Sequence, residues 1–229
     1  MTIRLLLADD RTLLRAAFRI LIDSCADMVV VAEATDGREA VELARAHRPD
    51  VVLMNIRLPG TDGLTATTTV CADPELTGTR VLILATAEID QYVAQALRAG
   101  ASGFLGRHAD ADTLLGAVRT VASGEALLSP LATRAVISRY LVTPVAAPLS
   151  PPKTLAALTA REREVMTLAA EGHSNTQIAD RLDVSPMSVR TDVGRAMTKL
   201  NARDRAQLVV VACQLGLAGP VRPAVLRAP

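Results

Sequence analysis

With 229 residues, half of them hydrophobic, the chain has the length of two ordinary domains and enough apolar side chains for a core in each. No apolar run approaches the roughly 18 to 20 residues that span a bilayer, and MTIRLLLADD lacks a signal peptide's basic and cleavage regions, so a cytoplasmic protein without a membrane partner is expected. The net charge of +1 is unevenly placed: residues 1–122 hold 12 Arg against 16 acids, whereas 155–229 hold 10 Lys or Arg against 7 acids. A polyanion would be met by the C-terminal part. Cys25, Cys71 and Cys213 lie far apart without metal-ligand spacing, which argues for buried thiols in a reducing compartment and against zinc. The aromatics are Phe18, Tyr92, Phe104 and Tyr140, too few for a single-strand stacking platform, so duplex DNA is the better nucleic-acid partner.

From Ile3 onward, short aliphatic runs alternate with amphipathic stretches. IRLLLA, MVVVAEA, VVLMN, RVLILA and GFLGR are continuously apolar, as strands buried on both faces are. Thr12 to Cys25, Gly37 to His47, a stretch after Gly63, Asp90 to Ala99 and Ala111 to Ser123 have helical spacing. Alternation of this regularity predicts an α/β fold, a five-stranded doubly wound parallel sheet with helices on both faces and its site at the strand C-termini.

Those strand ends carry Asp9 and Asp10, then Asn55, then Ala85 and Thr86, then Arg107. Paired acids suit a hard cation; equally, Asp10 before Thr12 could cap the following helix. The segments LLLADD, DVVLMNIRLPGTDG and ALRAGASGFLGR resemble the receiver domain of two-component response regulators over residues 1–122. That resemblance implies phosphoryl transfer to an Asp at the end of the third strand, assisted by magnesium on acids matching Asp9 and Asp10. The acceptor position here is Asn55, a neutral amide that is a poor nucleophile and a weak metal ligand. The family's switch hydroxyl falls on Ala85, with Thr86 beside it but facing the other side of the strand, and its Lys corresponds to Arg107. A degenerate receiver kept as a scaffold is therefore expected, with no cofactor beyond weak magnesium at Asp9 and Asp10. Phosphorylation at Asp50 or Asp62 instead is disfavoured, since the motif places neither at the site. Phe104 matches the family's rotating aromatic and is equally a core residue.

Leu131 to Leu141 reads as a connecting helix, and the four prolines within 142–154 mark a semi-rigid spacer. Beyond it, Thr159 with Glu162 and Ser174 with Gln177 have capping-box spacing, and Ser185 before Pro186 begins a third helix after an Asp183-Val184 turn. That helix turns Val189, Val193, Ala196, Met197 and Leu200 inward at helical spacing. It leaves Met187, Thr191, Gly194, Arg195 and Thr198 outward, flanked by Arg190, a face suited to phosphates and base edges.

The string LTAREREVMTLAAEGHSNTQIADRLDVSPMSVRTDV resembles the LuxR/NarL type of DNA-binding domain from about Leu158 to Leu217. The resemblance implies an all-α four-helix helix-turn-helix domain that binds DNA as a dimer, with Ser185, Met187, Ser188, Arg190, Thr191, Gly194, Arg195, Thr198 and Lys199 at the DNA. Asp192 stands where the family usually has His; it either weakens phosphate binding or orients Arg195 and Lys199. A last helix begins at Asp204 with Gln207, and its apolar LVVVACQLGL offers Val209, Cys213 and Gly216 as a dimer stripe.

The expected organisation is a receiver-like domain over 1–122, connecting helix and linker over 123–154, a DNA-binding domain over 155–218 and a tail over 219–229. The expected function is a phosphorylation-independent response-regulator transcription factor, homodimeric on duplex DNA and not an enzyme. The alternatives are a regulator whose pocket takes a small-molecule ligand, and an interaction protein that restrains a conventional regulator.

Overall fold

The computed structural model describes residues 2–85, 90–106, 109–124, 127–128, 157–215 and 217. The chain divides into two compact units, Met1–Ala132 with Arg203–Gln207 and Thr133–Ala202 with Leu208–Pro229.

In the first unit, β1 (Ile3–Ala8), β2 (Met28–Ala34), β3 (Val51–Asn55), β4 (Arg80–Ala85) and β5 (Gly103–Gly106) pair in parallel in the order β2-β1-β3-β4-β5. The predicted five-stranded sheet is present and gains an edge strand, β6 (Leu127–Leu128), parallel to β5. Two residues inside an expected connector are too short for a periodicity reading to find. Between the strands run α1 (Thr12–Asp23), α2 (Gly37–His47), α3 (Gly63–Ala72), α4 (Asp90–Arg98) and α5 (Ala111–Ala122). Leu5, Leu7, Leu53, Leu82 and Leu84 form one core with Ile22 of α1 and Leu114 and Val118 of α5. Phe104 is fully buried.

Local chemistry sets the helix starts. The Asp36 side chain accepts from the N–H groups of Arg38 and Glu39, Asp62 from Leu64 and Thr65, and Asp110 from Thr113, each filling donors that a helix leaves open. Two glycines are demanded by close approach. A Cβ at Gly63 would lie 1.9 Å from the Asn55 carbonyl oxygen, and one at Gly37 would lie 2.2 Å from that of Thr61. The β3–α3 turn is thereby drawn tightly against the strand end.

In the second unit, α6 (Ala160–Ala170), α7 (Asn175–Leu182) and α8 (Pro186–Leu200) surround Leu158, Val165, Met166, Ile178, Val189 and Ala196. Both expected capping boxes are formed. α7 ends with Asp183 in the left-handed conformation at φ 51°, after which Ser185 caps α8 by accepting from the Ser188 N–H at 3.1 Å. α9 (Arg205–Gln214), whose residues fall partly in each unit, follows, and Asp204 accepts from the Gln207 N–H at 3.0 Å, the start read from the sequence. The connecting helix and the proline-rich spacer lie outside the described residues. Among the described residues no helix is long and apolar enough to cross a membrane.

Candidate functional site

The strand ends of the first unit bring Asp9, Asp10, Asn55 and Ala85 together, whereas Thr86 and Arg107 lie outside the described residues. Asp9 is only 4 % exposed, and this burial pushes its carboxyl above the ordinary range. The Arg11 backbone N–H, at 2.9 Å from Oδ1, and its guanidinium oppose the rise without cancelling it. α1 has no side-chain cap; Arg11 is its first flanking residue, so Asp10 does not serve as the cap that its position allowed. Asp9 and not Asp10 reaches back to the chain there.

Asn55 is 6 % exposed at the end of β3. Its Nδ2 donates to the Arg57 carbonyl at 2.6 Å and to Asp10 Oδ1 at 3.4 Å, while its Oδ1 accepts from the Arg57 N–H at 3.2 Å. The amide thus presents a donor to Asp10 where a carboxylate would present a second negative charge. Magnesium is commonly held by one or two carboxylates while keeping several waters. Here the Asp9 carboxylate faces Arg11 and the Asn55 N–H faces Asp10, so an ion on this pair would compete with both. Among the described residues no group of three His, Cys, Asp or Glu side chains is placed to hold a metal.

The two alternative aspartates have structural tasks. Asp50 accepts from the Arg4 N–H at 2.8 Å at the opposite end of β3, and Asp62 caps α3, which holds its carboxyl below the ordinary range. A further constellation was missed in the sequence. Arg15 donates to the Asp9 carbonyl at 2.7 Å and, with Arg19, to Glu33 of β2. Arg11, Arg15 and Arg19 recur at i, i+4 and i+8; Arg11 pairs with Asp9, while Arg15 and Arg19 share Glu33.

In the second unit, α8 turns Val189, Val193 and Ala196 inward and leaves Met187, Ser188, Arg190, Thr191, Arg195 and Thr198 exposed. A Cβ at Gly194 would meet nothing within 4 Å. Several of the expected donors are already engaged. Ser185 and Ser188 share a hydroxyl contact at 2.9 Å, and the hydroxyls of Thr191 and Thr198 donate at 3.0 Å to the carbonyls of Met187 and Gly194.

Lys199 departs from its expected position beside Asp192. Its Nζ lies 2.7 and 2.9 Å from the oxygens of Glu162, which is 3 % exposed in α6 and also completes the capping box with Thr159. Lys199 holds the Glu162 carboxyl below its ordinary range. A buried carboxylate left without a partner is costly, and the Lys199 ammonium supplies that partner. Asp192 instead lies between Arg195, at 3.7 Å, and Arg161, at 3.8 Å. Arg190 has no hydrogen bond or ion pair among the described residues.

Of the expected dimer stripe, Val209 and Cys213 are 4 % and 5 % exposed, and Gly216 lies outside the described residues. A ten-residue helix that is apolar all round is buried on more than one side.

Residues 5–119 match the response regulator receiver domain, and residues 156–212 match the bacterial regulatory proteins of the luxR family. The transcriptional regulatory protein YxjL of Bacillus subtilis (strain 168) is 37% identical across 94% of this chain and 97% of its own length. The transcriptional regulatory protein DegU of Brevibacillus brevis is 35% identical across 93% and 94%. Among solved structures, the response regulator ChrA of a heme-sensing two-component system is similar with 34% identity and a TM-score of 0.50, covering 94% of this chain and 98% of that one. The chain belongs to the LuxR family of response regulators, DNA-binding transcription factors rather than enzymes.

Proposed function

We propose that this regulator acts without phosphorylation of its receiver, binding duplex DNA in the cytoplasm as a homodimer. The observation that carries the reading is the Asn55 amide, engaged by Arg57 on both of its polar atoms and donating to Asp10. A carboxamide has no anionic oxygen to attack a phosphoryl group, and this one is held in place. The donor also relieves Asp10 of the repulsion that a cation would otherwise have to neutralise. The receiver is then a scaffold with one arrangement at its strand ends. Two copies are proposed because a single helix-turn-helix makes few base contacts, and useful discrimination needs two half-sites.

The test combines acetyl phosphate treatment, intact mass and gel shifts on the protein's own upstream region. Unchanged mass and unchanged affinity are expected. A stoichiometric phosphoryl adduct, or tighter binding after treatment, overturns the proposal.

A further inference from the structure

We infer that the outer face of α8 reads thymine methyl groups in the major groove, through the Met187 side chain and the Thr191 methyl. The inference rests on the reading of α8 as the helix that meets duplex DNA. Met187 is 68 % exposed in the first turn of a helix whose apolar stripe is Val189, Val193 and Ala196, so core packing does not account for it. Residues in the first turns of a recognition helix are those that reach base edges. A thioether side chain has no N–H or O–H to offer a base, but it gains by covering an apolar group.

Thr191 lies one turn further along the same face. Its hydroxyl proton is committed to the Met187 carbonyl at 3.0 Å, so what the residue adds to a ligand is chiefly its methyl group. Gly194, three residues on, has open space where a Cβ would stand, which lets the helix surface come close to the base edges. The charged groups at this face reinforce the assignment: Arg195 is held near Asp192, whereas Arg190 beside the apolar pair has no ion-pair partner among the described residues and suits a phosphate. Of the major-groove features, the thymine C5-methyl is the apolar one. Against cytosine the same surface would cover an N4–H donor without bonding it.

The test starts from selection of duplexes out of a randomised pool by the full-length protein. In the enriched duplex each thymine is then replaced singly by deoxyuridine, which removes only the methyl. At one or two positions per half-site, wild-type binding should weaken about fourfold per methyl, the scale of one buried carbon. Met187→Ala and Thr191→Ser should each shrink that ratio toward one at their own position. Thr191→Val, which keeps the methyl, should retain the ratio whatever its absolute affinity. Indifference of the wild type to every deoxyuridine, or an unchanged ratio in both methyl-removing variants, overturns the inference while leaving DNA binding intact. If the pool yields no enriched duplex, the recognition-helix reading falls and the inference falls with it.

Discussion

At position 55 an amide N–H faces the Asp10 carboxylate at 3.4 Å, where a carboxylate would add a second negative charge. Asn55→Asp would set two carboxylates together and oppose a carboxylate oxygen to the Arg57 carbonyl, now 2.6 Å from Nδ2. The variant should lose about 1 to 3 kcal/mol at neutral pH. Scanning calorimetry should show its midpoint rising with millimolar magnesium chloride while that of the wild type stays put. A wild-type midpoint that climbs equally would mean that the pocket already holds the cation. The Glu162–Lys199 pair gives a prediction of opposite kind. Because the carboxyl is held below its ordinary value of 4.5, its contribution is fully present above pH 4.5 and is lost as pH falls through the lower folded-state value. Glu162→Gln should therefore destabilise the second unit at pH 7 and cease to matter in strong acid. Lys199→Ala should lower the melting midpoint yet leave the salt slope of DNA binding unchanged; a slope reduced by about one unit would restore Lys199 to the phosphates.

Two glycines make contrasting demands on their elements. At Gly63 an added Cβ would enter the Asn55 carbonyl 1.9 Å away, so Gly63→Ala should displace the β3–α3 turn and cost upwards of about 2 kcal/mol. At Gly194 the Cβ would meet nothing, so Gly194→Ala should stabilise α8 by about 0.5 to 1 kcal/mol through helix propensity alone. Its effect on DNA is expected to run the other way, weakening binding where the backbone approaches the groove. Stability and gel-shift measurements on this one variant separate the two, and equal binding would show that Gly194 is not at the interface. The difference between these glycines was not visible in the sequence, because both stand in helices and only the neighbouring backbone distinguishes them. Strands, caps and the α8 stripe were legible, since periodicity and Ser/Thr-x-x-Glu/Gln spacing are local properties. The Lys199–Glu162 pair was not, because its partners are 37 residues apart. The β6 strand was not either, because two residues carry no period.

For the molecule as a whole, the acidic first part and basic second part leave the DNA-binding unit to supply the attraction for phosphates. The apolar stripe of α9 was the sequence's candidate for joining two copies, and in the chain its Val209 and Cys213 are buried. A charge placed at Val209 is consequently expected to disturb folding as well as pairing: Val209→Asp should lower the melting midpoint by an amount equivalent to about 2 kcal/mol or more. Thiol chemistry gives the independent test. Burial pushes the thiols of Cys71 and Cys213 up to about 11, so at pH 8 roughly one in a thousand of either is the reactive thiolate. Iodoacetamide followed by peptide mass mapping should leave both unmodified in the native chain and modify all three cysteines in denaturant. If dimerisation on DNA draws on the α9 stripe, the stripe must first rearrange, so adding duplex should raise the labelling rate of Cys213; an unchanged rate counts against the stripe. Rapid labelling of Cys213 in the free protein would instead show that the stripe is open from the start, and the outward dimer face read from the sequence would stand.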